Sequence, residues 1–241
     1  MQESTMSQSF SSIPSKQNLS EIAYGQIRDA LMQGRLEPGR RLVFRVIADE
    51  FGISPTPVRD AIQRLASEGA LQLDDRGVAC VPKINAASYI EIINLRIGLE
   101  GTAAAATATR SDCDVIANGL TKINDRMAKC KAEQKIDQAL LENEQFHDYF
   151  VRAANMPVLH ELVTSLWLRC GPSLRLLYTD RFEPLSVHPH LKLIEAIRVG
   201  NPEAARQSIQ DDLRHAGIHI LSKIDPKATS GWQICSSRVY F

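Results

Sequence analysis

The chain has little that would place it in a membrane or outside the cell. Its 241 residues contain no apolar run long enough to span a bilayer, and the first 18 lack the cationic start and apolar stretch of a secretory signal. The five cysteines are an odd number without a close pair, which argues against a zinc site made of them and favours reduced thiols. We therefore expect a soluble cytoplasmic protein without a membrane partner.

The chain also lacks an excess of positive charge and the common signatures of catalysis. We find no Gly-rich phosphate loop and no general base beside a nucleophile, which argues against an enzyme. The 28 Lys and Arg residues are balanced by 28 Asp and Glu residues, and positions 1–82 hold nine of the former and ten of the latter. Any DNA contact must therefore come from a local basic strip.

The most informative segment that is present runs over 52–62 and predicts a helix that is built to contact DNA. Ser54 is placed to cap this helix with its hydroxyl, and Pro55 suits the first helical position. Apolar residues recur at helical spacing on one face, namely Val58, Ala61, Ile62 and Leu65. The other face presents Thr56, Arg59 and Gln63. Such a helix packs on one side and leaves the other side free for a partner.

The flanking residues predict a winged helix-turn-helix over 19–82. A first helix from Leu19 to Gln33 and a second from Leu42 to Phe51 precede the turn at Gly52. The expected buried residues of the first helix are Ile22, Ala23, Ile27, Ala30 and Leu31. Downstream, 70–73 and 78–81 are predicted to form two short strands around a turn that ends at Gly77. These strands would form the wing.

After a linker at 83–87, the pattern predicts an all-α antiparallel bundle of about six or seven helices over 88–225. The expected helices are Ala87–Thr109, Asp112–Lys131, Lys135–Ala154, Pro157–Arg169, Pro172–Asp180, His188–Val199 and Pro202–Ile224. Bundles of this kind commonly hold ligands in a central cavity. Residues 1–18 are expected to be a flexible leader, and 226–241 form a tail that is rich in apolar residues. The predicted fold class is mainly α with a small β-hairpin wing.

The first third of the chain resembles the GntR superfamily of bacterial transcription regulators. The matching pieces are 34–42, Ile47-Ala48, 52–62, Leu65, Glu68-Gly69 and Gly77-Val78. One departure is Pro55, which stands where the family usually has Arg. The candidate DNA-binding residues are Arg40, Arg45, Ser54, Thr56, Pro57, Arg59, Arg64, Arg76 and Gly77. The alternative interpretation of the arginines is a solvated surface.

Residues 88–224 resemble the effector domain of the FadR branch of that superfamily. The matching pieces are Leu95-Arg96, Leu99-Glu100, Asn143, Phe146-His147, Asn155, His190, 194–197, Gly200-Asn201 and Ala205. Many members of the branch bind a divalent metal through an acidic residue and three histidines, with a small organic acid beside it. The resemblance implies the ligands Asn143, His147, His190 and Asp212 for zinc, nickel or manganese. Two of these depart from the family pattern, since Asn143 replaces Asp and Asp212 replaces His.

Both the metal site and the acid site have a structural alternative. His147 and His190 can be buried histidines that are hydrogen bonded to Asn143 and Asp212. Arg96 can simply pair with Glu100 four residues on, or it can point into the cavity and bind a carboxylate of the effector. The candidate effector-binding residues are Arg96, Glu100, Asn143, His147 and His190, with Arg169 and Arg175 as further candidates. The other histidines, His160, His188, His215 and His219, suit solvated or capping positions, and His188 can replace His190 if the register shifts.

Taken together, these features predict a homodimeric transcription regulator, with repression as the expected action and activation as the alternative that the sequence leaves open. It would bind a pseudo-palindromic double-stranded DNA operator, and a small carboxylic acid would change its affinity for that operator through the linker at Pro82 to Asn85. Two other classes stay open at this point. One is a metal-dependent enzyme that acts on a small organic acid, and the other is an architectural DNA binder without a ligand.

Overall fold

The computed structural model describes residues 19–178 and 188–229, and the first part forms the predicted winged helix-turn-helix. Its elements are α1 (Leu19–Met32), β1 (Arg41–Leu42), α2 (Phe44–Phe51), α3 (Pro55–Ser67), β2 (Gln72–Leu73) and β3 (Ala79–Cys80). The strands form an antiparallel sheet in the order β1-β3-β2. Leu42 was predicted to begin the second helix, but it pairs with Ala79 in this sheet instead. The wing hairpin therefore gains a third strand.

Helix α3 begins where the sequence predicts, although one detail of its cap differs. Ser54 takes the cap position with extended backbone, but its side chain makes no capping hydrogen bond. The third helical residue is Pro57, which has no N–H to donate, so one of the two usual partners of a capping hydroxyl is missing. The predicted apolar face of α3, Val58, Ala61, Ile62 and Leu65, is buried.

Helix α1 buries the predicted residues with one exception. Ile22 was expected in the core, but it is 59% exposed. The buried stripe of α1 follows Ala23, Ile27, Ala30 and Leu31 and continues to Met32. Ile22 lies beside this stripe, in the first turn of the helix, where α3 does not cover it.

The second part of the chain is all helical, as predicted. Its elements are α4 (Ala86–Thr107), α5 (Cys113–Ala132), α6 (Ile136–Ala153), α7 (Pro157–Cys170), a 3-10 segment (Gly171–Tyr178), α8 (Pro189–Arg198), α9 (Pro202–Ile224) and the short α10 (Pro226–Thr229). The side chains of Asn85 and Asn201 cap α4 and α9 by accepting from the backbone N–H groups of Ser88 and Ala204. The segment predicted as a helix over Pro172–Asp180 is a 3-10 helix as far as Tyr178, and its last two residues lie outside the described residues.

The α7 helix and the 3-10 segment connect the bundle to the winged helix-turn-helix domain. A Cβ atom on Gly171 would lie only 2.6 Å from the backbone oxygen of Leu31, so the two backbones touch there. Arg169 donates to the backbone oxygen of Glu68 at 3.3 Å. Arg175 pairs with Glu37 of the first domain and with Asp137 of the bundle. Arg169 and Arg175, which we considered as cavity residues, therefore lie at the contact between the domains.

Further expectations concern the cysteines, the two ends of the chain and membrane-spanning helices. The described cysteines, Cys80, Cys113, Cys130 and Cys170, are free thiols, while Cys235 lies outside the described residues. So do the predicted leader 1–18 and most of the apolar tail, from 230 onward. Among the helices that the structure describes, none has the length and apolar character needed to cross a membrane.

Candidate functional site

The exposed face of α3 carries the side chains that the sequence assigns to DNA. Thr56, Arg59 and Gln63 are exposed on this helix, as is Ser54 at its start, while Pro57 is half-buried. The guanidinium carbon of Arg59 lies 5.0 Å from the ring centroid of Phe44 at the start of α2. This contact steadies the side chain at the junction of the two helices and leaves its N–H groups in solvent.

Arg64, further along α3, contacts helix α1. Its guanidinium pairs with Glu21 at 2.9 Å and with Glu68 at 3.1 Å. It also lies 3.8 Å from the ring centroid of Tyr24. Arg64 is therefore held on the side of α3 that packs against α1, away from the face of Arg59.

The remaining candidate DNA contacts lie in exposed loops and on α2. Arg40 and Arg45 are exposed on either side of β1, and Arg76 and Gly77 form the tip of the wing. Gly77 has a φ of 74°, a conformation that favours glycine. The carboxylate of Asp74 accepts from the backbone N–H groups of Arg76 and Val78, which fixes the turn. The wing thus presents Arg76 on a defined turn.

A cavity of about 660 Å³ lies inside the helical domain. Every helix of the bundle from α4 to α9 contributes to its wall, together with the 3-10 segment. Polar and aromatic lining residues include Arg96, Lys131, Asn143, His147, Trp167 and Asp212. The cavity therefore combines an apolar wall with several ionisable groups, which is typical of a ligand site.

His147 and Asp212 line this cavity from α6 and α9, and His190 of α8 lies next to them. One carboxylate oxygen of Asp212 lies 3.5 Å from the Nε2 atom of each histidine. The three potential ligand atoms all lie within 4.8 Å of one another. Among the described residues this is the one group of His, Cys, Asp and Glu side chains that can hold a metal ion. Asn143 lines the same cavity one turn before His147.

The ring of His190 is buried beside His147 and Asp212. It stacks on Phe146 with the ring centroids 3.9 Å apart, and only 1% of the residue is exposed. Neither ring nitrogen makes a hydrogen bond within the described part of the chain. Buried polar atoms normally have a hydrogen-bond partner, and the contact that Nε2 of His190 makes is the long one of 3.5 Å to the Asp212 carboxylate, so a metal ion held by both would satisfy them better. The residues present therefore fit a metal ion.

The carboxylate of Glu100, which is itself paired with Arg96, orients the ring of His147. Its Nδ1 atom lies 2.7 Å from the Glu100 carboxylate, whose other oxygen accepts from Nε of Arg96 at 2.7 Å. A carboxylate that accepts from one ring nitrogen leaves the other free for a metal, so Glu100 points Nε2 of His147 toward Asp212. Arg96 is itself buried, with its guanidinium carbon 4.1 Å from the centroid of Trp167.

The charges around this cluster shift the pKa of its members. Burial alone would lower the pKa of His147, but the carboxylates of Glu100 and Asp212 raise it above the ordinary value. Burial would raise the pKa of Asp212, but the two histidines hold it well below its usual range. The metal-free cluster thus favours a proton on His147, which a metal ion would displace.

The other histidines occupy mixed positions. His188 caps α8 by accepting from the backbone N–H of His190 at 3.2 Å, as expected, but it also lines the cavity. Burial and the neighbouring His190 lower the pKa of His188 to about 4, so it is neutral at ordinary pH. His160 pairs with Asp148 at 2.8 Å, and His215 lines the cavity. His190, and not His188, is the residue that faces His147 and Asp212.

Comparison with known proteins identifies the families that the two parts of the chain match. Residues 19–81 match the family described as bacterial regulatory proteins, gntR family, and residues 91–215 match the FCD domain. The HTH-type transcriptional regulator McbR of Escherichia coli (strain K12) is 28% identical over 189 residues, which cover 77% of this chain and 85% of McbR. The gluconate operon transcriptional repressor of Bacillus subtilis (strain 168) is 26% identical over 201 residues, or 79% of this chain and 80% of the repressor.

A solved structure shows the same arrangement. The structure of E. coli McbR/YncC has a TM-score of 0.76 to this chain at 26% identity, and the match covers 88% of this chain and 99% of that one. The FCD match spans more than half of the chain, and the gntR match immediately precedes it. The chain therefore belongs to the gntR family of bacterial regulatory proteins, in the branch with an FCD domain, and it is a DNA-binding transcription regulator, not an enzyme.

Proposed function

We propose that this regulator is a homodimeric repressor that binds a pseudo-palindromic operator and responds to a small carboxylic acid held beside a divalent metal. The observation that carries the proposal is the cluster of His147, His190 and Asp212 beside the cavity, in which the ring nitrogens of the buried His190 make no hydrogen bond among the described residues. Two-fold symmetry of the dimer would match two-fold symmetry of the operator.

The metal would be held by His147, His190 and Asp212, with the amide oxygen of Asn143 as a fourth, weaker donor. Two imidazoles and two oxygens suit several divalent ions, and the oxygen share favours manganese or nickel over zinc. When bound, the ion supplies positive charge that attracts the carboxylate of an effector. Arg96 and Glu100 would complete the effector site, with Glu100 also orienting His147.

The signal would pass from the cavity to the DNA-binding domain through one continuous segment as well as through the linker 82–85. Trp167, Leu174 and Tyr178 line the cavity, and Gly171, between them in the chain, touches α1. An effector that binds one position of this segment better than another would shift the orientation of α3 and of the wing. The relevant quantity is the difference in effector affinity between the two arrangements.

A thermal-shift screen tests the proposal. The full chain, metal-loaded or chelator-treated, would be heated with small mono-, di- and hydroxy-carboxylic acids. An acid at a hundred times its dissociation constant adds roughly 2.7 kcal/mol of stability. We expect one class of acids to stabilise the metal-loaded form only. Equal stabilisation without metal would contradict the metal-linked site, and stabilisation by no acid would contradict the carboxylic acid effector.

Arg59→Ala is expected to weaken operator binding by about 1–3 kcal/mol, because the exposed guanidinium can reach a base edge or a phosphate. The measurement is fluorescence anisotropy with operator fragments obtained by in vitro selection.

Arg64→Ala is the matched comparison on the same helix. Its guanidinium is occupied by Glu21 and Glu68, so the change should lower the unfolding midpoint and leave operator affinity near the parental value. If Arg64→Ala lost operator affinity and Arg59→Ala did not, the side of α3 that carries Arg64, and not the side that carries Arg59, would face the operator.

A further inference from the structure

Lys131, in the last turn of α5, lines the effector cavity without a partner. Within the described residues its ammonium group makes neither a hydrogen bond nor an ion pair within 4 Å. The other charged groups of the cavity are matched, since Arg96 pairs with Glu100 and the Asp212 carboxylate faces two histidines. Lys131 is thus a cation that lines the cavity with no opposite charge in contact among residues 19–178 and 188–229.

The cations Arg96 and Lys131 line the cavity from different helices, α4 and α5. Arg96 is buried and pairs with Glu100, and its guanidinium also donates to the sulfur of Cys170 at 3.5 Å. Burial lowers the pKa of Lys131, and Asp212 is the group that opposes this effect. Arg96 is thus already paired with Glu100, whereas the Asp212 carboxylate acts on Lys131 from beyond the 4 Å of an ion pair.

The turn that ends α5 holds Lys131 at the cavity wall. Gln134 adopts a φ of 55°, a left-handed conformation that is uncommon for residues other than glycine. The backbone N–H of Gln134 donates to the backbone oxygen of Lys131 at 3.1 Å, and Gln134 also lines the cavity. This closed turn brings two polar residues, Lys131 and Gln134, to the same part of the wall.

We propose that Lys131 is a specificity-determining residue that binds a second anionic group of the effector, so that this regulator responds to dicarboxylic acids in preference to monocarboxylic acids. The inference rests on the proposed function, in which the first carboxylate lies beside the metal. A monocarboxylate there would leave Lys131 without an opposite charge among the described residues, whereas a second carboxylate would give the half-buried ammonium one. Since Glu100 already neutralises Arg96, Lys131 is the group that gains most from an added anion.

The test compares acids that differ only in the second carboxylate. The probes are butanoate against succinate, pentanoate against glutarate and hexanoate against adipate, titrated calorimetrically into the metal-loaded full chain. In the parent protein at least one diacid should bind about tenfold or more tightly than its monoacid partner, the value of a charge-assisted contact.

Three variants assign that preference to Lys131. Lys131→Met removes the charge and keeps the length, and it should bring the diacid-to-monoacid ratio close to one without weakening the monoacid. Lys131→Arg should keep most of the preference. Lys129→Met is the matched control, because Lys129 is exposed on the same helix, and its ratio should equal that of the parent.

The outcomes separate the two proposals. If each pair binds equally well to the parent, or if Lys131→Met keeps the preference, the role of Lys131 is overturned while the carboxylic acid effector stands. If neither kind of acid binds the parent, the proposed effector class fails and the role of Lys131 fails with it. A preference that disappears in Lys131→Met and persists in Lys129→Met supports both.

Discussion

The His147→Ala His190→Ala double variant is expected to lose its divalent metal while remaining folded. Removal of both imidazoles leaves Asp212 and Asn143, and oxygen ligands alone hold such ions weakly. Even the loss of groups that only orient metal ligands costs 10–100-fold in affinity, so we expect a loss of more than about 100-fold here. Elemental analysis after dialysis against trace metal measures this loss, and circular dichroism reports whether the helices persist.

Two further variants, a second test of the site and a control, help to interpret this result. Asp212→Asn keeps the shape of a ligand side chain and removes its charge, so it should lower metal content without opening a void in the core. His160→Ala is the control, since His160 pairs with Asp148 outside the effector cavity. Metal content in the double variant equal to that of the parent would remove the proposed site.

Glu100→Ala is expected to destabilise the protein by about 3–5 kcal/mol, the usual cost of removing one partner of a buried ion pair. Glu100 is 0% exposed and Arg96 is 2% exposed, so the guanidinium would stay buried without its carboxylate. His147 would lose its hydrogen-bond partner in the same step. Urea unfolding of the chelator-treated protein measures the change without a contribution from bound metal.

Two comparisons make the Glu100 result interpretable. Glu91→Ala removes an exposed carboxylate from the same helix and should leave the midpoint nearly unchanged. Adding Arg96→Met to Glu100→Ala removes the stranded charge and should recover part of the loss, because apolar replacement of a buried pair is often tolerated. An unfolding midpoint of Glu100→Ala that matches the parent would show that the pair contributes nothing to stability.

Most of the fold could be predicted from local signals in the sequence. The Asn201-Pro202 start of α9 and the apolar spacing of α3 predicted helices that the structure contains, because caps and periodicity act within a few residues. The third strand was missed because it depends on the pairing of Leu42 with Ala79, which are far apart in the chain. The 3-10 form of Gly171–Tyr178 likewise depends on contacts with α1 and α9.

The candidate site was predictable only in part. Asn143 and His147 share a helix face by their spacing, but the inclusion of His190 and Asp212 came from the family resemblance. The Arg96–Glu100 pair was weighed from its spacing, whereas its contact with His147 requires α4 and α6 to meet. Nothing in the sequence marks Lys131, because a lysine in the last turn of a helix is usually solvated and favoured by the helix dipole. Only the tertiary fold brings it to the cavity.

The segment that lines the cavity and touches α1 at Gly171 would also transmit the effect of DNA binding back to the effector cavity. If the effector lowers operator affinity by some factor through this segment, thermodynamic linkage requires the operator to lower effector affinity by the same factor. DNA is then itself a regulator of the cavity. A repressor seated on its operator would need a higher effector concentration to release it than free protein would need for binding. The effector concentration that induces transcription would therefore exceed the dissociation constant measured without DNA.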